Sequence, residues 1–244
     1  MVGNASKFVT ARKNPLALTD RRIHAIMQYF IYCYQLQIAD KVTHSKGRLN
    51  TKLKFEDVLK SKLVDDYLRK NKEFFKSVNS TIEDIYFGKE EMEIYTDNGD
   101  LEQEDKIDIS IRELGLQKIW SGDNKDEIYF AVECKRITKI TDASLYVSDI
   151  QKFVDRKHTQ KRIPFEGMLG FIEDNSIDHN AVAIAVNQKL AEVTTITTVT
   201  NLTVTNITPG FSGAYKSTHQ KNYLPNQHFL VNHLLFDYSK IVVN

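Results

Sequence analysis

Apolar residues recur at helical spacing in two stretches of the N-terminal third. Asp20 is a suitable N-cap, and a helix is predicted from there to about Lys41. A second amphipathic helix is predicted from near Lys54, with lysine-rich positions outside its apolar face. The predicted apolar faces are Ile23, Ile26, Met27, Phe30, Ile31 and Tyr34 in the first helix and Phe55, Val58, Leu59, Leu63 and Tyr67 in the second.

The rest of the chain alternates between strand and helix patterns. Residues 81–112 alternate like strands around a turn signal at Asn98 and Gly99, and residues 128–132 form an apolar run typical of a buried strand. A helix is predicted over about 143–157, a short strand over 168–172 and a helix over about 177–192. The core face of the 143–157 helix is predicted to be Tyr146, Ile150, Phe153 and Val154.

Threonine and valine dominate residues 193–208, which predicts a strand, and residues 228–238 predict another. The order from 54 to 172 is helix, strand, strand, strand, helix, strand. This order predicts an α/β fold with a mixed sheet.

Composition limits the class of protein. The 244 residues fit one elaborated domain, and two cysteines, Cys33 and Cys134, are too few for a disulfide framework. The chain has no apolar leader and no window as long as a membrane span, so we expect a soluble, cytoplasmic protein without membrane contact.

Charge is balanced overall but unevenly distributed. The formal net charge is +1, yet residues 81–108 carry 11 acidic side chains and residues 135–162 carry 8 basic ones. One part of the surface can therefore repel a polyanion while another attracts it, although such blocks are also common on ordinary solvated faces.

Charged residues end the apolar run of 128–132. Glu133 and Lys135 point the same way, about 6.6 Å apart, while Cys134 points to the opposite face. In the preceding strand, the same alternation places Asp108 and Ser110 opposite Ile107, Ile109 and Ile111. Asp108 and Glu133 can then hold a divalent cation between them, with the Cys134 carbonyl and waters completing the shell.

This Glu-x-Lys is one of four acid-x-Lys triplets in the chain, but only this one follows five apolar residues. The alternative interpretation is an ion pair at the end of a strand that extends into solvent.

An acid on one strand followed by Glu-x-Lys on the next resembles the PD-(D/E)XK phosphodiesterase superfamily. The resemblance implies a restriction-endonuclease-like αβββαβ core over about 54–172, with a central mixed sheet flanked by helices. An N-terminal helical extension over about 20–41 and a strand-rich C-terminal extension over about 177–244 would complete a single nuclease domain, 1–244. Ile107 stands where the name-giving proline would be, and that proline is often absent in the family.

The resemblance also implies roles for individual residues. Asp108 and Glu133 would bind Mg²⁺, or Mn²⁺, and Lys135 would orient or activate the attacking water. Glu56 is the best match for a further acid from the preceding helix, with Asp57 as its nearest competitor. Alternatively, Glu56 is only a favourable acid in the first turn of a helix.

Basic residues after this site are candidates for phosphate contacts, or else form a solvated face. They are Lys152, Arg156, Lys157, Lys161 and Arg162. The histidines, by contrast, fit no ligand pattern: His219, His228 and His233 lack metal-ligand spacing.

The predicted function is a metal-dependent nuclease that acts on DNA rather than RNA. By family analogy it would be an effector in bacterial anti-phage defence or restriction, controlled by a protein partner or by homo-oligomer formation. The alternative is a catalytically silent subunit that keeps the nuclease fold to bind nucleic acid or protein.

Overall fold

A computed structural model of the chain describes residues 14–48, 54–78, 84–96, 101–121, 128–157 and 162–243. The helices of these ranges are α1 (Pro15–Ala39), α2 (Phe55–Lys62), α3 (Lys72–Val78), α4 (Leu114–Trp120), α5 (Ala143–Asp155) and α6 (His179–Glu192). The strands are β1 (His44–Ser45), β2 (Ile85–Thr96), β3 (Glu102–Glu113), β4 (Tyr129–Ile137), β5 (Arg162–Ile172), β6 (Thr198–Val204), β7 (Ala214–Lys221), β8 (Leu224–Asp237) and β9 (Val242–Val243).

Seven of these strands form one mixed sheet in the order β2-β3-β4-β5-β8-β7-β6. The β4–β5 and β5–β8 pairs are parallel and the other neighbours are antiparallel. The two-residue strands β1 and β9 form a separate parallel pair.

Helices cover both faces of the sheet. Helices α1 and α2 pack on the face that carries Phe130, Val132 and Cys134. Helices α5 and α6 cover the opposite face, where Met168 and Leu235 are buried. The prediction of an α/β fold with a mixed central sheet is confirmed.

The first helix begins earlier than predicted. The Asn14 side chain accepts a hydrogen bond from the Ala17 N–H at 3.1 Å, and Pro15 occupies the first helical position. Asp20 is therefore a residue of the helix interior and not its N-cap, and its carboxylate instead accepts a hydrogen bond from Lys216 at 3.0 Å.

The second predicted helix is broken into three pieces. After α2, residues Leu63–Leu68 form a π-helical turn, and α3 follows as a separate helix. The predicted apolar face is largely correct, since Phe55, Leu59, Leu63 and Tyr67 are buried, whereas Val58 is half-buried. A short helix that was not predicted, α4, lies between β3 and β4.

The C-terminal third adds three strands to the same sheet. The threonine- and valine-rich stretch forms β6 over a shorter range than predicted, and the segment before the last strand forms β7. Strand β8 lies between β5 and β7. Strand β5 is longer than the predicted 168–172, because it begins at Arg162.

Candidate active site

Strands β3 and β4 separate where the predicted acids lie. They pair at Ile111↔Phe130, Ser110↔Ala131 and Ile109↔Val132. Past that point two carboxylates accept hydrogen bonds from the β4 backbone.

Asp108 accepts one from the Cys134 N–H at 2.8 Å, and Glu56 of α2 accepts one from the Arg136 N–H at 2.9 Å. The backbone of β4 thus fixes both acids at the opening between the strands.

The alternation predicted for β3 is interrupted at Asp108. The ladder between β2 and β3 runs from Lys89↔Ile109 to Glu91↔Ile107 and skips Glu90 and Asp108. Glu90 has a φ of 51°, in the left-handed region that residues with a Cβ seldom occupy. The prediction that Ile107 shares a face with Ile109 is therefore wrong.

Ile107 packs with Tyr129 and Ala131, whereas Ile109 and Ile111 belong to the large cluster on the other face. The Asp108 side chain consequently points into the opening beside β4 and not along the Ser110 face.

A cavity of about 460 Å³ lies in this opening. All four predicted catalytic residues line it: Glu56, Asp108, Glu133 and Lys135. Its other lining residues are Lys54, Asp57, Lys60, Glu90, Asp105, Lys106, Asp149 and Lys152. Seven carboxylates and five lysines therefore face one volume, with a formal charge of −2.

Lys135 is held by an aspartate that was not predicted. Its Nζ lies 2.9 Å from the Asp149 carboxylate, which is 3 % exposed on α5, and 3.9 Å from Glu56. Burial lowers the pKa of Lys135, but Asp149 and Glu56 outweigh that effect and hold the pKa above its ordinary value. The two neighbouring acids therefore favour the charged form of Lys135.

The pKa of Glu56 is also raised, but here the largest cause is burial and not the neighbouring charges. Burial raises its pKa, and this effect exceeds the lowering by Lys135 and by the Arg136 N–H. A carboxylate with a raised pKa accepts a proton more readily near neutral pH. Asp57, the competing acid, also lines the cavity, but its carboxylate accepts a hydrogen bond from Lys60 at 2.9 Å.

Lys60 is the second residue that the sequence did not single out. Its side chain is 1 % exposed, and the ammonium group donates a hydrogen bond to Asp108 at 2.7 Å. Burial lowers the pKa of Lys60, but Asp108 and Asp57 together raise it by more than burial lowers it, so the side chain remains charged. One oxygen of Asp108 thus faces Lys60 and the other faces the Cys134 N–H.

Glu133 is 5 % exposed and lies 3.7 Å from the Arg156 guanidinium. Arg156 is itself 2 % exposed, pairs with Asp105 and lies over the Tyr95 ring at 5.1 Å. Arg156 caps the end of α5, and its burial favours ion pairing with the acids of β3 and β4 over a contact with phosphate.

The other predicted phosphate contacts have different settings. Lys152 lies at the cavity with 47 % of its side chain exposed and pairs with Asp149 at 3.0 Å. Lys157 is half-buried and bonds Thr96 through its backbone. Arg162 begins β5, and Lys161 lies outside the described residues.

The donors at the opening suit a hard cation. Asp108, Glu133 and Glu56 present carboxylate oxygens, and the Cys134 carbonyl lies on the same edge of β4 as its N–H. The Cys134 thiol points into the core, where burial raises its pKa well above the ordinary value. In the described part of the chain, no group of three or more His, Cys, Asp or Glu side chains is already gathered as a metal cluster. The donor set fits Mg²⁺, which commonly keeps several waters and takes one or two carboxylates.

His219 and His233 belong to a separate buried chain of hydrogen bonds. His233 bonds Tyr146 at 2.9 Å and Ser217 at 2.8 Å, and Ser217 bonds His219 at 2.8 Å. Their ring nitrogens are thus engaged with hydroxyl groups. His228 is exposed on the same strand as His233.

No protein-family model, curated protein or solved structure matches the chain significantly. The resemblance to the PD-(D/E)XK superfamily therefore stays a prediction that rests on the residues of β3 and β4. Among the described residues, no helix combines the length and apolar character needed to cross a membrane.

Proposed function

We propose that the chain is a metal-dependent nuclease with a restriction-endonuclease-like core, and that it hydrolyses phosphodiester bonds at the cavity between β3 and β4. The observation that carries the proposal is the meeting of Glu56, Asp108, Glu133 and Lys135 around one volume. These residues come from α2, β3 and β4, so their meeting is a property of the fold and not of local sequence.

Asp108, Glu133 and the Cys134 carbonyl would hold the cation. Bound Mg²⁺ or Mn²⁺ offsets charge on the phosphate and lowers the pKa of the attacking water. A site with a formal charge of −2 would otherwise repel a phosphodiester, and one divalent cation brings the lining residues to neutrality.

The residues of the chain then divide the remaining work. Lys135, kept protonated by Asp149, stabilises the charge that develops as water attacks phosphorus and the P–O bond breaks. Glu56 is placed to take the proton of that water, because its pKa is raised and one of its oxygens faces Lys135. The leaving oxygen takes its proton from solvent.

The test is cleavage of plasmid, single-stranded DNA and RNA by the purified chain, with Mg²⁺ or with EDTA. We expect cleavage with Mg²⁺ that is lost in EDTA and falls at least about a hundredfold in Lys135→Ala. Lys189→Ala is the matched control, since Lys189 is a partly exposed lysine on α6 that pairs with Glu192.

Equal activity in EDTA, or in Lys135→Ala, would refute the assignment. The preference for DNA and control by a partner subunit remain predictions, and the same assay compares the substrates directly. A chain that binds these nucleic acids without cleaving them, even with its partner added, would favour the silent binding subunit instead.

A further inference from the structure

Lys60 places a buried ammonium group among the acids of the cavity. Its Nζ lies 2.7 Å from Asp108, 2.9 Å from Asp57 and 3.4 Å from Glu90. A lysine ammonium has three N–H donors, and here three carboxylates from α2, β2 and β3 surround it. Its donors are therefore directed at the protein's own acids and not at a substrate.

The backbone pairing is interrupted at two of these acids. Glu90, with its φ of 51°, and Asp108 are the residues skipped by the ladder of β2 and β3. A left-handed residue with a Cβ carries a conformational cost that persists only where the surroundings enforce it. The ion pairs with Lys60 supply such an enforcing contact at Glu90.

The carboxylate oxygens that surround Lys60 are the same type of ligand that a divalent cation binds. Some phosphodiesterases use two metal ions about 3.5–4 Å apart. Here Asp108 directs one oxygen to Lys60 and the other to the edge of β4, where Glu133 and the Cys134 carbonyl lie.

We infer that Lys60 is a built-in cation that takes the place of a second metal ion, so that the site binds one divalent cation. The inference rests on the proposed metal site at Asp108 and Glu133. Lys60 is a positioning residue, because it acts on the reaction through Asp108.

The test counts bound Mn²⁺ by electron paramagnetic resonance on the metal-free full chain. We expect about one Mn²⁺ per chain in the wild type and about two in Lys60→Met, which removes the charge and keeps much of the side-chain volume. Lys60→Arg should bind one. Lys62→Met is the matched control, since Lys62 is an exposed lysine of the same helix, and it should also bind one.

The outcomes separate the two proposals. One ion in the wild type and one in folded Lys60→Met would overturn the role of Lys60 and leave the proposed metal site intact. No ion in the wild type would overturn the metal site and this inference with it. Two ions in the wild type would overturn the role of Lys60 without any variant, which keeps the inference refutable if Lys60→Met fails to fold.

Discussion

Lowering the pH from 7 to 5 should destabilise the fold through two buried histidines. His219 and His233 are fully buried in the chain of hydrogen bonds that joins Tyr146 to Ser217. Burial lowers the pKa of His219 to about 4 and that of His233 well below its ordinary value. Both rings are therefore neutral in the folded protein.

The sign and size of the effect follow from proton linkage. Well above pH 6.5 the rings are neutral in both the folded and the unfolded chain, and the full stability is present. As the pH falls towards 4, His219 becomes protonated in the unfolded chain but stays neutral in the folded chain. The free energy of unfolding then drops by about 1.4 kcal/mol per pH unit because of His219. Between pH 7 and 5 the loss from His219 is about 2 kcal/mol, a large part of a typical stability, and His233 adds a loss of the same sign.

Urea unfolding, followed by the fluorescence of Trp120, measures this loss at each pH. His219→Gln should lose about 2 kcal/mol less than the wild type between pH 7 and 5. The control is His228→Gln, which changes an exposed histidine and should follow the wild type. If the wild type and His219→Gln had the same pH dependence, the buried-histidine explanation would be wrong.

Three further outcomes are expected. Asp149→Asn keeps the side-chain shape beside Lys135 but removes the charge that raises the pKa of Lys135. Turnover by the proposed nuclease should therefore fall about tenfold, and the alkaline limb of its pH profile should move to lower pH. An unchanged profile would count against this role of Asp149. Glu113→Ala breaks the ion pair with Arg22 and removes the cap of α4. The free energy of unfolding, measured with urea at pH 7, should fall by about 3–5 kcal/mol. A fall of less than about 1 kcal/mol would contradict this prediction. Cys33 and Cys134 are fully buried, and their thiol pKa values are raised. A thiol reagent should therefore label them only when the protein unfolds. Rapid labelling of the native protein would contradict the burial of these two thiols.

The parts of the fold that the sequence predicted are those where apolar residues decide the structure. The core face of α5 is a clear case, because Tyr146, Ile150, Phe153 and Val154 are all fully buried. Strand β7 was missed for the opposite reason. Its buried positions include Ser217, His219 and Lys221, so the sequence lacks the alternation of apolar and polar residues that predicts a strand.

The candidate site likewise contains residues that the sequence predicted and residues that it did not. Glu133 and Lys135 could be found because charges at the end of an apolar run are conspicuous. Lys60 lies on the same helix as the exposed Lys62, and only its contacts with Asp108 and Glu90 distinguish it. The interruption of the β2–β3 ladder had no signal either, because Glu90 is not a glycine and nothing in its neighbours predicts a positive φ.

The order of strands in the sheet has a consequence for synthesis on the ribosome. Strand β8 is made after the other six strands of the sheet, yet it lies between β5 and β7 and pairs with both. A nascent chain that has not reached Leu224 therefore lacks the strand that joins the two halves of the sheet, and it exposes two unpaired edges. Premature termination should therefore yield fragments that aggregate.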